Sequence, residues 1–282
     1  LCRHEQAAAF MADTYGRLTG KPGVCLATLG PGATNLVTGV ADANMDRAPL
    51  VAIIGQASTS RLHKESHQNM DAIAMFRPIT KWAHSIGNAT TIPEVVRKAF
   101  KIAQAEKPGA TVIELPEDIA KEQTSARPMV VRKTRRAAAD HKAVTQAVDL
   151  IAAAKSPIIL AGNGAVRKRA AKQMQRLAHK AGIGVVHTFM GKGALPRSDE
   201  HCLMTMGLQG RDYINVALDE ADLVIAVGYD LVEYSPSFWN LHGGKKKHPH
   251  RFLASPGRPG LSRRCRGRRR CRRRTLADQR RP

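Results

Sequence analysis

Residues 21–56, KPGVCLATLGPGATNLVTGVADANMDRAPLVAIIGQ, join two apolar runs through a glycine-rich turn and an amphipathic stretch. This order predicts a strand, a turn, a helix and a second strand, which is the repeating unit of a parallel α/β sheet. Helix and strand patterns that alternate in this way exclude an all-helical or an all-strand fold. The segment therefore assigns the chain to the α/β class.

Regular patterns flank this unit on both sides. The preceding stretch EQAAAFMADTYGRLTG is rich in alanine, has apolar residues at helical spacing, and ends on a glycine where a helix C-cap would fall. Downstream, TIPEVVRKAFKIAQAEKPG predicts a helix, and ATVIELPEDIA predicts a buried strand that Pro116 ends. We interpret residues 1–122 as one domain.

The stretch that follows, KEQTSARPMVVRKTRRAAAD, is polar, charged and without periodicity, so we interpret residues 123–140 as a linker. A second domain over residues 141–247 contains predicted strands in SPIILAGNGA, IGVVHTF and DLVIAVGYD, separated by predicted helices. Strands joined by helices of this length favour right-handed, doubly wound parallel sheets. The expected fold is therefore two doubly wound parallel-sheet α/β domains.

The net charge of +22 is concentrated at the end of the chain. Residues 245–282 hold 16 of the 45 Lys and Arg residues and one of the 23 Asp and Glu residues. A basic segment of this kind can bind nucleic acid non-specifically. The rest of the chain carries little net charge, which argues against nucleic acid as the main partner. A binding protein with a basic arm stays open as the alternative.

The cysteines and the apolar runs indicate in which cellular compartment we expect the protein. The 5 cysteines include no C-x-x-C pair and are odd in number, so they suggest neither a zinc site nor a disulfide framework. This usage fits the reducing cytoplasm. No apolar run reaches the roughly 18–20 residues that span a bilayer, so we expect no membrane segment.

Three motifs could carry chemistry, and each has a structural alternative. The GPGATN turn at 30–35 could present backbone N–H groups to an anion or a cofactor, or could be only a tight turn. Glu5 opens a helix, where a carboxylate is usually a partner of the helix dipole. His63 and His67 have i, i+4 spacing, but they lack an evident third metal ligand, which favours a polar loop.

In combination, four stretches resemble one family, the thiamine-diphosphate-dependent acetolactate synthases, in their large or catalytic subunit. They are RHEQAAAFMADTYGRLTGKPGVCLATLGPGATNLVTGVADANMDRAPLVAIIGQ, SHQNMDAIAMFRPITKWA, EKPGATVIELPEDIA and ADLVIAVGYDLVEYSPSFWN. The resemblance runs from residue 1 to about residue 247. It implies a pyrimidine-binding domain followed by a central domain.

The resemblance also implies a reaction and a site. The family decarboxylates pyruvate and condenses the product with a second 2-oxo acid to give 2-acetolactate; a related 2-oxo acid carboligase or decarboxylase stays open. Glu5 matches the catalytic glutamate that exchanges a proton with the aminopyrimidine of the cofactor. His67 and Gln68 match the substrate pocket. The expected cofactor-binding residues are Gly30, Pro31, Gly32 and Asn35.

The cofactors and assembly that the resemblance implies are thiamine diphosphate, Mg²⁺ and a homodimer or homotetramer. The Mg²⁺ ligands would lie in a third domain, which this sequence does not contain, so this chain contains no expected metal ligand. Tyr229-Asp230-Leu231 stands where the FAD-using branch has Arg-Phe-Asp-Asp. This departure indicates the catabolic branch and argues against FAD, while leaving its binding open.

The resemblance further implies that about fifty residues are missing before Leu1, that the central domain is incomplete, and that the chain alone is inactive. The family's next strand reads roughly Ile-Ile-His-Ile-Asp-Phe. Codons for that run, read in a shifted frame, give HPHRF, the sequence at 248–252. We therefore interpret residues 248–282 as a frameshifted, disordered Arg-rich tail with too little apolar surface to order itself.

Overall fold

A computed structural model of the chain describes residues 1–130, 138–207 and 213–236, and the backbone of a strand at 251–254. Two parallel sheets organise these residues, one in each half of the chain. The α/β class and the parallel, doubly wound sheets predicted from the sequence are confirmed.

The first sheet has the strand order β1-β2-β4-β3, and every neighbouring pair is parallel. Its strands are β1 Gly23–Ala27, β2 Leu50–Gln56, β3 Trp82–Ser85 and β4 Ala110–Pro116. The helices of this half are α1 Glu5–Thr19, α2 Pro31–Asn35, α3 Val37–Met45, α4 Ala72–Phe76, α5 Ile92–Gln104 and α6 Glu117–Lys121.

Local sequence explains where α1 begins and ends. The His4 side chain accepts a hydrogen bond from the backbone N–H of Gln6, and Glu5 in the first turn complements the helix dipole. Gly20 adopts the left-handed conformation at φ 67° and donates its N–H to the carbonyl of Gly16. A residue with a side chain rarely adopts this φ, so glycine suits this C-cap.

Helices cover both faces of the first sheet. Ala9 of α1 and Val40 of α3 pack in one core with Phe76 of α4. Val95 and Ala99 of α5 pack in a second core on the opposite face. The central strands β2 and β4 are almost continuously buried, as expected for a sheet covered on both faces.

The second sheet has the order β7-β6-β5-β8-β9 and is also entirely parallel. Its strands are β5 Pro157–Ala161, β6 Gly184–His187, β7 Cys202–Thr205, β8 Leu223–Val227 and β9 Arg251–Ala254. The helices are α7 His141–Ala153, α8 Lys168–Ala181 and α9 Tyr213–Glu220. Helix α8 packs in the core on one face of this sheet and α9 in the core on the other.

Several elements differ from the sequence-based expectations. The helix expected after the glycine turn consists of two helices, α2 and α3, that meet at Leu36. Strands β3 and β7 and helix α7 were not predicted. Strand β9, Arg251–Ala254, pairs with the edge of β8 within the segment that we interpret as a disordered tail.

Other expectations fall partly outside the described residues. Residues 123–130 and 138–140 form no helix or strand, while 131–137 of the predicted linker are not described. The frameshift interpretation of 248–282 also lies outside the described residues, apart from β9. Among the helices that are described, none combines the length and apolar character that a bilayer crossing requires.

Side chains of the first half contact Asp230, which follows β8 in the second half. The Nε of Arg47 donates to its Oδ2 at 2.8 Å, and the Nζ of Lys107 donates to the same atom at 2.6 Å. Arg167 pairs with Glu106 nearby, in a more exposed position. These ion pairs connect the two sheets.

Candidate functional site

The residues that the sequence suggested for cofactor binding lie beyond the carboxyl end of β1. Glu5 is the first residue of α1, and the turn after β1 leads into α2 through Gly30. The Nδ2 of Asn35, the last residue of α2, donates to Oε2 of Glu5 at 2.9 Å. The fold therefore brings together Glu5 and Asn35, which are thirty positions apart in the sequence.

Gly32 lies against the same carboxylate. A Cβ atom placed on Gly32 would lie 2.7 Å from Cγ2 of Thr28 and 3.5 Å from Oε1 of Glu5. A side chain at this position would therefore collide with Thr28 and occupy the space beside Oε1. Glycine at this position therefore lets α2 pack closely against Thr28 and the Glu5 carboxylate.

The hydrogen bond from Asn35 sets the charge of the site. It is the largest cause that lowers the pKa of Glu5 below its ordinary value, with a further lowering from a backbone hydrogen bond. Glu5 is therefore ionised at neutral pH. One oxygen, Oε2, already accepts from Asn35, and the other, Oε1, lies 3.5 Å from the point where a Cβ on Gly32 would be.

Gly30 connects this turn with the loop that carries the predicted pocket residues. Its φ of 57° is in the left-handed region, and an added Cβ would lie 2.8 Å from Cβ of Gln68. Glycine therefore satisfies both the backbone conformation and the close approach to Gln68. Gln68 itself has a φ of 57°.

His67 and Gln68 lie together on this loop and are exposed. His63 is exposed on the same loop, which contains no helix between Leu62 and Asp71. The i, i+4 spacing of His63 and His67 therefore does not place them on one helix face. The polar-loop interpretation of this segment is the one that the backbone supports.

A groove of about 840 Å³ runs along β1 and reaches Glu5. Alternate residues of β1, Val24 and Leu26, are exposed and line it, together with Met11 and Tyr15 of α1. The groove is open and largely apolar, and the carboxylate of Glu5 lies among its lining residues.

Two protein-family models match the chain over these same regions. Residues 1–75 match the N-terminal TPP binding domain of thiamine pyrophosphate enzymes, and residues 144–246 match the central domain of the same enzymes. The chain belongs to the thiamine pyrophosphate enzymes.

Within that class, three of its curated relatives carry one activity in their names. It is 38% identical over 247 residues to acetolactate synthase of Bacillus subtilis (strain 168), a match that covers 87% of this chain and 43% of the relative. It is 40% identical over 235 residues to the probable acetolactate synthase large subunit of Methanococcus aeolicus, covering 81% of this chain and 39% of the relative. Acetolactate synthase of Mycobacterium bovis (strain ATCC BAA-935 / AF2122/97) is 40% identical over 232 residues, covering 81% and 38%. The chain thus spans about two fifths of the length of these relatives.

The sequence did not reveal two features of the folded chain. The pairing of Asn35 with Glu5 depends on how α2 packs against α1, and no spacing in the sequence signals it. A cluster of His179, Asp199 and His201 also forms in the second half of the chain. The D-x-H spacing before β7 was its only sequence signal.

Proposed function

We propose that this chain supplies the pyrimidine-binding half of an acetolactate synthase active site. That site would decarboxylate pyruvate and condense the product with a second 2-oxo acid to give 2-acetolactate. The observation that carries the proposal is the carboxylate of Glu5, held by Asn35 beside Gly32. The names of the relatives support the choice of reaction.

Thiamine diphosphate fits the residues of this site. It carries an aminopyrimidine ring whose nitrogen can share a proton with a carboxylate, and the Glu5 carboxylate lies among the residues that line the open groove along β1. When bound, the cofactor supplies the electron sink for decarboxylation. The protein's residues would bind the cofactor, orient it and exchange a proton with its pyrimidine ring.

Glu5 would hold and move one proton. Its ionised carboxylate would favour a proton on a ring nitrogen of the cofactor, because an opposite charge nearby stabilises the protonated form. Asn35 would keep the carboxylate in place through Oε2. This leaves Oε1 as the oxygen of Glu5 that would exchange the proton.

The turn and the neighbouring loop would complete the site. Gly30, Pro31 and Gly32 would border the cofactor with backbone atoms. His67 and Gln68 would line the pocket for the 2-oxo acid, where polar side chains can bind its carboxylate. Mg²⁺ would bind outside this chain's residues, and the site is proposed to work without FAD.

The proposed setting is a cytoplasmic homodimer or homotetramer, in which a further domain contributes the diphosphate and Mg²⁺ site. The three cysteines that the structure describes, Cys2, Cys25 and Cys202, are free thiols, which fits a reducing compartment. Pyruvate is the proposed donor. The test below identifies the 2-oxo acid acceptor.

The test is a chimera in which residues 1–247 replace the matching segment of the Bacillus subtilis acetolactate synthase. We expect the chimera to form acetolactate from pyruvate, measured as acetoin after acid decarboxylation. Glu5→Gln should lower kcat by at least about 100-fold, within the range for general acid–base groups. Glyoxylate and 2-oxobutyrate are offered in parallel assays. A higher rate with either acid than with pyruvate would show that the chimera prefers that 2-oxo acid.

Glu94→Gln is the matched control, because Glu94 also lies in the first turn of a helix and is exposed. It should leave kcat within about twofold of the parent chimera. Equal losses in the two variants, or full activity of Glu5→Gln, would contradict the proposed role of Glu5. Binding of thiamine diphosphate, measured by calorimetry, shows that each chimera is loaded.

A further inference from the structure

Three side chains with metal-ligand chemistry meet at one place in the second half of the chain. His179 lies in the last turn of α8, and Asp199 and His201 lie in the loop that leads into β7. One potential ligand atom of each residue lies within 4.8 Å of the other two. The cluster is separate from Glu5 and has no part in the proposed reaction.

Asp199 occupies the centre of this cluster. Its Oδ2 lies 2.8 Å from Nε2 of His179, and its Oδ1 lies 3.6 Å from Nδ1 of His201. The carboxylate is also held by Gln175, whose Nε2 donates to Oδ2 at 3.0 Å, and by the backbone N–H of His201. Such partners fix the orientation of a metal ligand, as the outer shell does in known metal sites.

One nitrogen of the cluster lacks a hydrogen-bond partner. Nδ1 of His201 is buried and bonds to no atom of the described residues. A buried polar atom without a partner is costly, and native proteins usually satisfy it. Because this nitrogen faces the carboxylate of Asp199 at a distance too long for a hydrogen bond, a bound cation would satisfy it.

We propose that His179, Asp199 and His201 bind a divalent first-row transition-metal ion, with zinc as the best fit. Two imidazole nitrogens and one carboxylate oxygen suit zinc, whereas Mg²⁺ and Ca²⁺ prefer oxygen ligands alone. Ligand atoms around a tetrahedral zinc with bonds of about 2.1 Å lie about 3.4 Å apart. The separations in the structure are all within 4.8 Å, so each would change by at most about 1.4 Å to reach that arrangement.

The exposure of the three residues leaves a route for the ion and a position for a fourth ligand. The side chain of Asp199 is 6% exposed and that of His201 is 16% exposed, while that of His179 is 43% exposed. The ion would enter past His179. The proton on Nε2 of His179, which faces Asp199 in the structure, would then move to Nδ1 so that Nε2 could bind the ion. Water or Glu200, whose Oε1 lies 3.8 Å from Nδ1 of His201, would complete the shell.

The consequence for the fold is a tie between α8 and the start of β7. An ion that binds the folded chain and not the unfolded chain raises the stability of the fold in proportion to the logarithm of its concentration. The site would therefore act on the second half of the chain and leave the residues around Glu5 unchanged.

The test titrates the untagged full chain with Zn²⁺ under reducing conditions, and follows binding by calorimetry and stability by thermal unfolding. We expect binding in the micromolar range and a rise in Tm. His179→Ala and His201→Ala should each weaken binding by at least about tenfold. His141→Ala is the matched control, since His141 is an exposed histidine on α7 in the same half.

Two further measurements keep the result interpretable. Asp199→Asn is a conservative change that should also weaken Zn²⁺ binding. It serves as the test variant if a histidine variant does not fold. Co²⁺ should give visible d–d absorption without an intense near-ultraviolet thiolate band, because nitrogen and oxygen ligands, not cysteine, hold the ion. Retained affinity in all three cluster variants, a thiolate band, or equal stabilisation by Mg²⁺ would overturn the proposal.

Discussion

Asp230→Asn tests how the two halves of the chain are held together. Asp230 accepts from both Arg47 and Lys107 through Oδ2, and its side chain is only 9% exposed. The substitution keeps the shape of the side chain and removes its charge. Two cations would then face one neutral amide in a poorly hydrated position.

The magnitude follows from the burial of this group. Breaking a buried ion pair costs about 3–5 kcal/mol, whereas an exposed pair contributes about 0–1 kcal/mol. Arg47 and Lys107 are both partly exposed, which places the expected loss of stability for Asp230→Asn at about 1–3 kcal/mol. Burial acts to raise the pKa of Asp230, and the hydrogen bonds from the two cations outweigh it, so the pKa is lowered overall.

The sign of the pH dependence follows from that shift. A carboxyl whose folded-state pKa is depressed contributes stability above its unfolded value of 3.8 and loses it as the pH falls through the folded-state pKa. Calorimetric unfolding at neutral pH should therefore show the full difference between the wild-type chain and Asp230→Asn. The difference should shrink below pH 3.8.

Glu106→Gln is the matched control across the same boundary. Glu106 pairs with Arg167, and its side chain is 56% exposed, so the expected loss is less than about 1 kcal/mol. If Asp230→Asn and Glu106→Gln cost the same, or if the Asp230→Asn difference persists unchanged at acid pH, the reasoning from burial is wrong.

Two other predictions concern the first half of the chain. Asn35→Ala should raise the pKa of Glu5 toward its ordinary value of 4.5, because it removes the largest cause of the lowering; a titration of the Glu5 carboxyl by NMR measures this, and an unchanged pKa would contradict it. Gly39→Ala should cost about 1–3 kcal/mol in urea unfolding, since its Cβ would lie 2.6 Å from Cβ of Ala9. Gly87→Ala, where nothing lies within 4 Å, should change stability by less than about 1 kcal/mol, and equal effects at the two glycines would refute the packing argument.

Local sequence patterns predicted most of the fold. The alanine-rich run before Gly20 and the apolar runs of β2 and β4 each carry a signal within one element, and the structure has those elements where they were expected. The short strands β3 and β7 were missed because they contain no fully buried residue, whereas β6, equally short, has the buried run Val185–His187. Strand β9 was missed because its place depends on the open edge of β8.

The candidate site was predictable only in part. The family resemblance pointed to Glu5, the Gly30 turn with Asn35, and His67 with Gln68. The structure shows two contacts within this set, Glu5 with Asn35 and Gly30 with Gln68. Their roles stay predictions. The Asp199 cluster could not be derived from the sequence, because His179 is twenty positions from Asp199 and only the packing of α8 joins them.

The proposed role of Glu5 is to activate a thiamine cofactor. The most direct measurement is the rate at which the C2 proton of thiamine diphosphate, bound to the chimera, exchanges with deuterium, followed by quenched-flow NMR. We expect Glu5→Gln to slow this exchange by at least about 100-fold, while Glu94→Gln leaves it unchanged. An exchange rate in Glu5→Gln equal to that of the parent chimera would contradict the account.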